Sequence, residues 1–348
     1  MSRQLTTAPS APNPHLFRVG IVLATYNCDR VHFAAQVDSI KHQDFADWVC
    51  LVTDDGSTPE IRQYIAAVIA DDPRFIYHGQ PHNLGSYHNF EYGVQYFRSD
   101  PTITHLAFAD QDDVWHANKL SKLLAAIEAH DALLVHSDLG LIDTDGNPLH
   151  DSVWQYEKRQ PEQLTPELLL LRNTVTGCTM LLRRSLLAHI LPFPSQGQTG
   201  HWYHDHWMAL VAAQQGTIVH LREPLMQYRQ HGRNVIGAEQ YAGTIRKELV
   251  LWLAKKGRLT LKSYRIHRDL STAFFQRFYP PAAAQRLNPF AEQRLDFGAA
   301  ILQLGWHSYR TGYGSQGITL RLWLNKFIFD LQRVKRTCCQ VFTNSRTP

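Results

Sequence analysis

No run of about 18 or more uninterrupted apolar residues occurs in the 348-residue chain, so no segment reads as a transmembrane helix. Met1 to His15 is rich in Ser, Thr, Pro and Ala and lacks an apolar stretch. Residues 1–16 therefore read as a disordered lead and not as a signal peptide. Cysteine is scarce: Cys28, Cys50, Cys178, Cys338 and Cys339 form neither a C-x-x-C pair nor an even framework. That argues against a disulfide scaffold and for reduced, buried thiols in a cytoplasmic protein. Neither G-x-G-x-x-G nor G-x-x-x-x-G-K-[ST] appears, which removes support for a dinucleotide-binding or P-loop fold.

Acidic residues are scarce in one region only. Residues 245–348 hold 18 Lys/Arg against 5 Asp/Glu, a net +13, whereas residues 1–244 hold 17 against 26, a net −9. The overall +4 conceals this division. The C-terminal third wants an anionic neighbour: membrane phospholipid, nucleic acid, or the acidic first part of the chain. No recognisable nucleic-acid motif accompanies the cations, so nucleic acid is not expected as a partner. The length leaves room for roughly two domains of about 150 residues each.

What is present begins with an alternation. Arg18 to Ala24 is a compact apolar run that ends in Thr25-Tyr26-Asn27. Helical spacing follows over Val31 to His42, then a second strand, Trp48 to Thr53, that ends in Asp54-Asp55-Gly56-Ser57. Ile61 to Ala70 reads as a helix, Phe75 to His78 as a short strand, Asn83 to Ser86 as a loop and Asn89 to Arg98 as a helix. Thr104 to Ala109 is the fourth strand. Strands alternating with helices, each strand ending in polar residues, predict a mostly parallel α/β sheet with its ligands at the carboxyl ends.

Further along, Leu133 to Asp138 reads as a strand and Asp143 to Pro148 as a turn. Thr174 to Arg183 reads as a strand entering a helix, His204 to Gln214 as a helix and Thr217 to Leu221 as a strand, with a polar loop from Tyr228 to Val235.

The fourth strand stops in Asp110-Gln111-Asp112-Asp113, three carboxylates within four residues. Like charges this close repel, and a hard cation with oxygen ligands, Mg²⁺ or Mn²⁺, relieves them and grips a diphosphate. The alternative is an N-cap for the following helix, which accounts for one Asp and not three.

Taken together, Ala24-Thr25-Tyr26-Asn27, Asp38-Ser39-Ile40 with Gln43, Val52 to Thr58, Asn83-Leu84-Gly85 and Asp110-Gln111-Asp112-Asp113 resemble the family 2 glycosyltransferases, which adopt the GT-A fold. The similarity covers about residues 18–235. The Asp-Gln-Asp-Asp-Val-Trp, His-Asp-His-Trp and Tyr-Arg-Gln-His-Gly wording is similar to bacterial rhamnosyltransferase-type members that build surface polysaccharides. The resemblance implies a GT-A catalytic domain over 17–238 and a basic, mainly helical region over 239–348. It also implies a nucleotide-sugar donor, dTDP-rhamnose first among candidates, and a saccharide or lipid-linked acceptor. The expected location is cytoplasmic; the basic C-terminal region either docks on the inner face of the membrane or packs as a helical cap on the catalytic domain.

By the same resemblance, Asp54 or Asp55, with Thr25 and Tyr26, holds the base and ribose, and Asn83 and Gly85 bring backbone close to the nucleotide. Asp110 and Asp112 match the family's D-x-D, which reaches the ribose and the metal, with Asp112 first as direct ligand; His231 adds a further metal ligand or meets the phosphate, with Arg229 and Arg233 near enough in sequence to help. Asp205 stands where the family keeps its general base, and His204 replaces the usual Glu before it. Each assignment has a plainer counterpart: a turn for Asp55-Gly56, a structural hydrogen bond for His231, an N-cap for Asp205. A zinc reading of His201, His204, Asp205 and His206 fails because residues 204 and 206 point to different sides of a helix and no Cys lies nearby.

Ile318 to Arg336 places Leu320, Trp323, Leu324, Phe327, Ile328, Leu331 and Val334 on one helical face, with Arg321, Lys326, Arg333 and Arg336 away from its centre. That pattern suits an interfacial helix, while Leu322 and Phe329 on the other side favour burial on both faces. Lys247 to Arg268 is similarly two-edged. Two rivals to a transferase stand. A D-x-D-G-[ST] phosphatase lacks its nucleophile because Thr53 replaces the Asp, and a non-catalytic sugar-nucleotide or glycan-binding module remains open.

Overall fold

The computed structural model describes residues 17–162, 164–196, 202–231, 258–292, 295–313 and 316–344. The 1–16 lead, His201, Arg233 and the 247–257 part of the basic stretch lie outside the described residues. Two compact units result. The first takes Met1–Pro161, Val175–Phe193 and Tyr203–Gln240; the second takes Glu162–Thr174, Pro194–Trp202 and Tyr241–Pro348.

The first unit is built on a nine-stranded mixed sheet. Strands β1 (Val19–Thr25), β2 (Trp48–Asp54), β3 (Phe75–Gly79) and β4 (His105–Ala109) are parallel in the order β3-β2-β1-β4. Their connections are helices α1 (Arg30–Lys41), α2 (Pro59–Ile69) and α3 (Ser86–Arg98). β1 and β2 are buried almost throughout, as continuous apolar runs in a covered parallel sheet must be. Strand order reverses at β1, between β2 on one side and β4 on the other, and that switch point opens a crevice at the carboxyl ends.

Beyond β4 the sheet turns mixed. β5 (Val114–Trp115), α4 (Lys119–Ala129), β6 (Leu134–Ile142), β7 (Pro148–His150) and α5 (Val153–Tyr156) follow in sequence. β8 (Met180–Arg183) runs antiparallel between β4 and β6, and β6 pairs in parallel with β9 (Ile218–Arg229). β9 is longer than the apolar run suggests and takes in Tyr228 and Arg229, which the sequence placed in a loop. Register shifts against β6 on either side of Asp138 break the alternation that marks a strand in sequence. α7 (Leu187–Ile190) and α8 (His204–Gln215) complete the unit. In α1 the buried stripe is Phe33, Gln36, Val37 and Ile40, while Val31 stands in solvent.

The second unit is helical: α6 (Pro166–Leu171), α9 (Arg258–Phe278), α10 (Pro281–Leu287), α11 (Ala299–Arg310) and α12 (Gln316–Asn344). Its core gathers Leu171, Tyr264, Phe290, Ile301 and Leu322. The stripe that α12 buries is Leu322, Asn325, Lys326 and Asp330, so the apolar face read from sequence is not its buried one. Leu320, Trp323, Leu324, Phe327 and Ile328 are only half-buried, and Leu331 is exposed. The reason is chemical. Lys326 Nζ holds both Asp330 oxygens at 2.7 Å, and a fully paired charge can occupy core positions that a hydropathy pattern assigns to water.

A candidate nucleotide-sugar site at the switch point

Three loops at the carboxyl ends of β1, β2 and β4 meet at the crevice, each pinned by the others. Asp54, fully buried at the end of β2, accepts from the Ser57 hydroxyl, from Thr25 Oγ1 at 3.3 Å and from Tyr77 OH at 3.2 Å, with Arg62 Nε 3.3 Å away. Its oxygens are engaged by protein, so its visible work is to shape the loop. Asp55 accepts from the backbone N–H of Leu84 at 2.7 Å and of Gly85 at 2.9 Å, which clamps the Asn83–Gly85 loop onto the β2 loop.

Gly56 lies at φ +81°, where a Cβ would meet backbone of His82 and Asn83 at 2.8 and 2.9 Å; only glycine permits this approach. Asn83 is exposed and caps its own loop by accepting from Gly85 N. Gly85, at φ +84°, would point a Cβ into open space.

The β1 loop presents Tyr26, 47% exposed, while the Thr25 side chain turns inward. The Asn27 N–H donates to Ser57 Oγ at 2.7 Å, and Asn27 Oδ1 accepts from Thr58 N. Across the switch point, the Tyr26 N–H donates to Gln111 Oε1 at 2.8 Å, tying the β1 loop to the acidic one.

The acidic loop is anchored from β9. Buried Arg229 donates its backbone N–H to Asp113 Oδ1, its Nε to the Asp112 carbonyl at 2.9 Å, and its Nη1 to the carbonyls of Asp143 and Thr144. His231 meets Asp112 Oδ2 at 2.7 Å and stacks on His32, whose Nε2 contacts the Thr144 carbonyl. The charge is crowded. Burial, then the Asp112 and Asp205 carboxylates, push Asp110 up to about 7. Burial, Asp112 and Asp110 also raise fully buried Asp113, whose Oδ2 has no hydrogen-bond partner. Lys119 is the nearby cation, but burial draws it down to about 7.

A group this negative, with an orphaned buried oxygen, fits a divalent cation. Among the described residues, Asp110, Asp113 and Cys178 bring potential ligand atoms within 4.8 Å of one another. The oxygens of this loop suit Mg²⁺ or Mn²⁺; the Cys178 thiol, raised by burial and by these carboxylates, stays protonated.

Asp205 enters from the first turn of α8. Its Oδ2 accepts from the Gly177 N–H at 3.1 Å and its Oδ1 from the His206 N–H at 2.6 Å, so the carboxylate is fixed. Burial raises it to about 6. Gly177 makes the approach possible, since a Cβ there would stand 2.5 Å from His204 Nε2. His204 itself stacks on Phe90 at 3.7 Å, its ring nitrogens unpartnered and burial lowering it to about 3. It is a neutral aromatic wall behind Asp205, unsuited to sharing a proton.

The structure thus sets Asp110 within electrostatic reach of Asp112 and Asp205 and pairs Asp112 with His231, while the potential ligand atoms it brings together are those of Asp110, Asp113 and Cys178; Tyr26, Asn83 and Gly85 lie on the adjoining loops, and Thr25, Asp54 and Asp55 support them. Gln111, His32, Cys178 and Gly177 are contributors that the sequence leaves without a role, Gln111 standing only inside a motif segment and His32 marked by nothing. Arg229, expected to help at the metal or phosphate, instead anchors the acidic loop through the Asp113 carboxylate and the Asp112, Asp143 and Thr144 carbonyls.

Residues 20–191 match the sequence profile described as "Glycosyl transferase family 2". A glycosyltransferase of Nostoc with no assigned activity is 26% identical over 222 residues, 62% of this chain and 66% of the relative. A putative teichuronic acid biosynthesis glycosyltransferase of Bacillus subtilis is 25% identical over 49% of this chain and 64% of its own. The UDP-Glc:alpha-D-GlcNAc-diphosphoundecaprenol beta-1,3-glucosyltransferase of Escherichia coli is 25% identical over 49% of this chain and 62% of its own. The matched regions span just under two thirds of those relatives. Among solved structures, S. aureus TarS 1–349 in complex with UDP-GlcNAc superposes with a TM-score of 0.51 at 14% identity, covering 92% of each chain. At that identity the likeness carries the fold, a GT-A architecture with a helical C-terminal region.

Proposed function

We propose, from the match of residues 20–191 to the family 2 glycosyl transferase profile, that the chain moves a glycosyl group from a nucleoside-diphosphate sugar to a saccharide hydroxyl in bacterial surface-polysaccharide synthesis. The acceptor is a free or lipid-linked saccharide, the sugar first in line is rhamnose from dTDP-rhamnose, and the place of work is the cytoplasmic face of the membrane. The rhamnose reading is supported by the motif wording around Asp110, His204 and Tyr228. Support for the lipid-linked acceptor is that the E. coli relative's name carries a diphosphoundecaprenol sugar.

One observation carries the reaction class: a fixed carboxylate, Asp205, raised by burial to about 6 and facing the acidic loop at the switch point. In an inverting displacement the acceptor hydroxyl attacks the anomeric carbon while Asp205 takes its proton. The sugar–phosphate bond breaks opposite and leaves the nucleoside diphosphate. A base near pH 6 is ionised at neutral pH yet basic enough to share that proton in the transition state. The Gly177 and His206 N–H groups hold its orientation. Asp112 and His231 would hold a divalent cation, with Asp110 beside them. Such a cation supplies charge neutralisation for the departing diphosphate. Tyr26, Asn83 and Gly85 line the approach of the nucleotide, and Asp54 and Asp55 keep those loops in place.

Asp205→Asn tests this. Transfer should fall by about 10²–10⁴-fold while donor affinity stays within about threefold, since the base acts on the acceptor. Near-normal transfer by the variant, or a product keeping the donor's anomeric configuration, overturns the assignment.

A further inference from the structure

The outer face of α11 contradicts the rule for a helix that ends in water. Its inner face holds buried Ala300, Ile301 and Ser308, and at Gly305 the α12 residue Thr319 comes so close that a Cβ would stand 2.0 Å from its Cγ2. The opposite side should be polar. It carries instead Leu302, Trp306 and Tyr309, spaced i, i+4 and i+7 on one stripe, exposed by 44%, 61% and 55%. The Trp306 and Tyr309 rings lie 5.7 Å apart and form one aromatic surface. Single exposed apolar residues need no explanation, but three large ones in register do.

The charge of the same region indicates what covers them. Of the five acids in residues 245–348, Asp269 and Glu292 are paired with Arg268, Asp330 with Lys326, and Asp296 lies 4.0 Å from Lys326. Four of the five acids thus face cations already, residues 245–348 keep a net +13, and Arg265, Arg286, Arg310 and Arg333 face solvent. Arg310 ends the helix that bears the stripe, one residue after Tyr309. Trp and Tyr beside basic residues are the composition that settles at the boundary of headgroups and acyl chains, where a ring has an apolar body and a polar edge. Among the described residues no helix is long and apolar enough to cross a membrane.

We propose that the Leu302–Trp306–Tyr309 stripe of α11, flanked by Arg310, is the surface by which this chain docks on an anionic phospholipid bilayer. The inference rests on the membrane-side reading of the function and names the surface for it, on α11 and not on the apolar face of α12 that the sequence suggested. Docking would keep the enzyme in the plane of a lipid-linked acceptor.

The test is flotation of the full chain with phosphatidylcholine vesicles made with and without phosphatidylglycerol. Transfer to a soluble saccharide and sedimentation velocity are measured in parallel. The parent should float only with the anionic vesicles and lose binding as salt rises. The double substitution Trp306→Ser/Tyr309→Ser should lower partitioning by at least about tenfold with its helical circular dichroism and its transfer to the soluble acceptor unchanged. If parent and variant float equally, the surface is wrong although the membrane reading stands. If neither floats, both membrane claims fall while the transfer assay still judges the catalytic reading. If the parent sediments as a dimer and the variant as a monomer, the stripe is a self-association face and the proposal is overturned.

Discussion

Two buried acids meet opposite fates in the two units. In the helical unit Asp330 is fully enclosed, with both oxygens on Lys326 Nζ and a third bond from the Phe297 N–H at 3.0 Å. In the sheet unit Asp113 is equally enclosed, but its neighbours Asp110 and Asp112 carry the same charge and one of its oxygens has no partner. A buried charge completed by its counter-ion is architecture. A buried charge left incomplete among like charges costs stability, and a fold keeps such an arrangement where a ligand is to complete it.

Removing the counter-ion from the finished pair should have the largest effect. Lys326→Met leaves Asp330 buried and unpaired and should cost about 3–5 kcal/mol. Adding Asp330→Leu to it should recover most of that loss, as read by urea unfolding of the helical transition. If the single and double variants were equally unstable, the pair would matter for packing and not for charge.

The unfinished cluster should respond in the opposite direction. Asp110 is raised on folding from its ordinary 3.8 to about 7, so the folded state binds a proton that the unfolded state releases, and stability falls as pH rises through that window. Without divalent cation at pH 8, Asp110→Asn should therefore raise stability by about 1–2 kcal/mol and flatten its decline between about pH 4 and pH 7. Mg²⁺ or Mn²⁺ should raise the melting temperature of the parent and do so less for the variant. A variant less stable than the parent under metal-free conditions would break the comparison.

The smallest effect expected is on the pH profile of transfer. Asp205 sits near 6, and its base form is the active one, so kcat/KM should drop about twofold from pH 8 to pH 6 and about tenfold per unit below that. A profile flat down to pH 4.5 would detach Asp205 from the proton transfer.

Much of the sheet unit was legible because its signals are local. β1, β2 and β4 are apolar runs that end abruptly in polar clusters, and the acids at Asp110–Asp113 fall at a strand end where the alternation alone would put a site. What escaped were features completed by distant residues. Arg229 ties Asp112 and Asp113 to the turn at Asp143 and Thr144 across more than eighty residues of sequence. His204 stands where the family keeps a Glu, and only its stacking on Phe90 and the room left by Gly177 mark it as a wall behind Asp205. Asp54 carries a motif position but spends its oxygens on Ser57, Thr25 and Tyr77. In α12 a hydropathy count cannot see that Lys326 and Asp330 neutralise each other at i, i+4, and this alone turns the buried face of the helix around.

The central claim is that the switch-point crevice binds a nucleotide sugar with a divalent cation. It is tested most directly by calorimetric titration of the purified protein with a panel of sugar nucleotides, in Mg²⁺ or Mn²⁺ and in chelator. The account predicts saturable binding of one donor, dTDP-rhamnose foremost, strengthened by the cation and weakened by chelation. A folded protein that binds no sugar nucleotide with or without metal would contradict it.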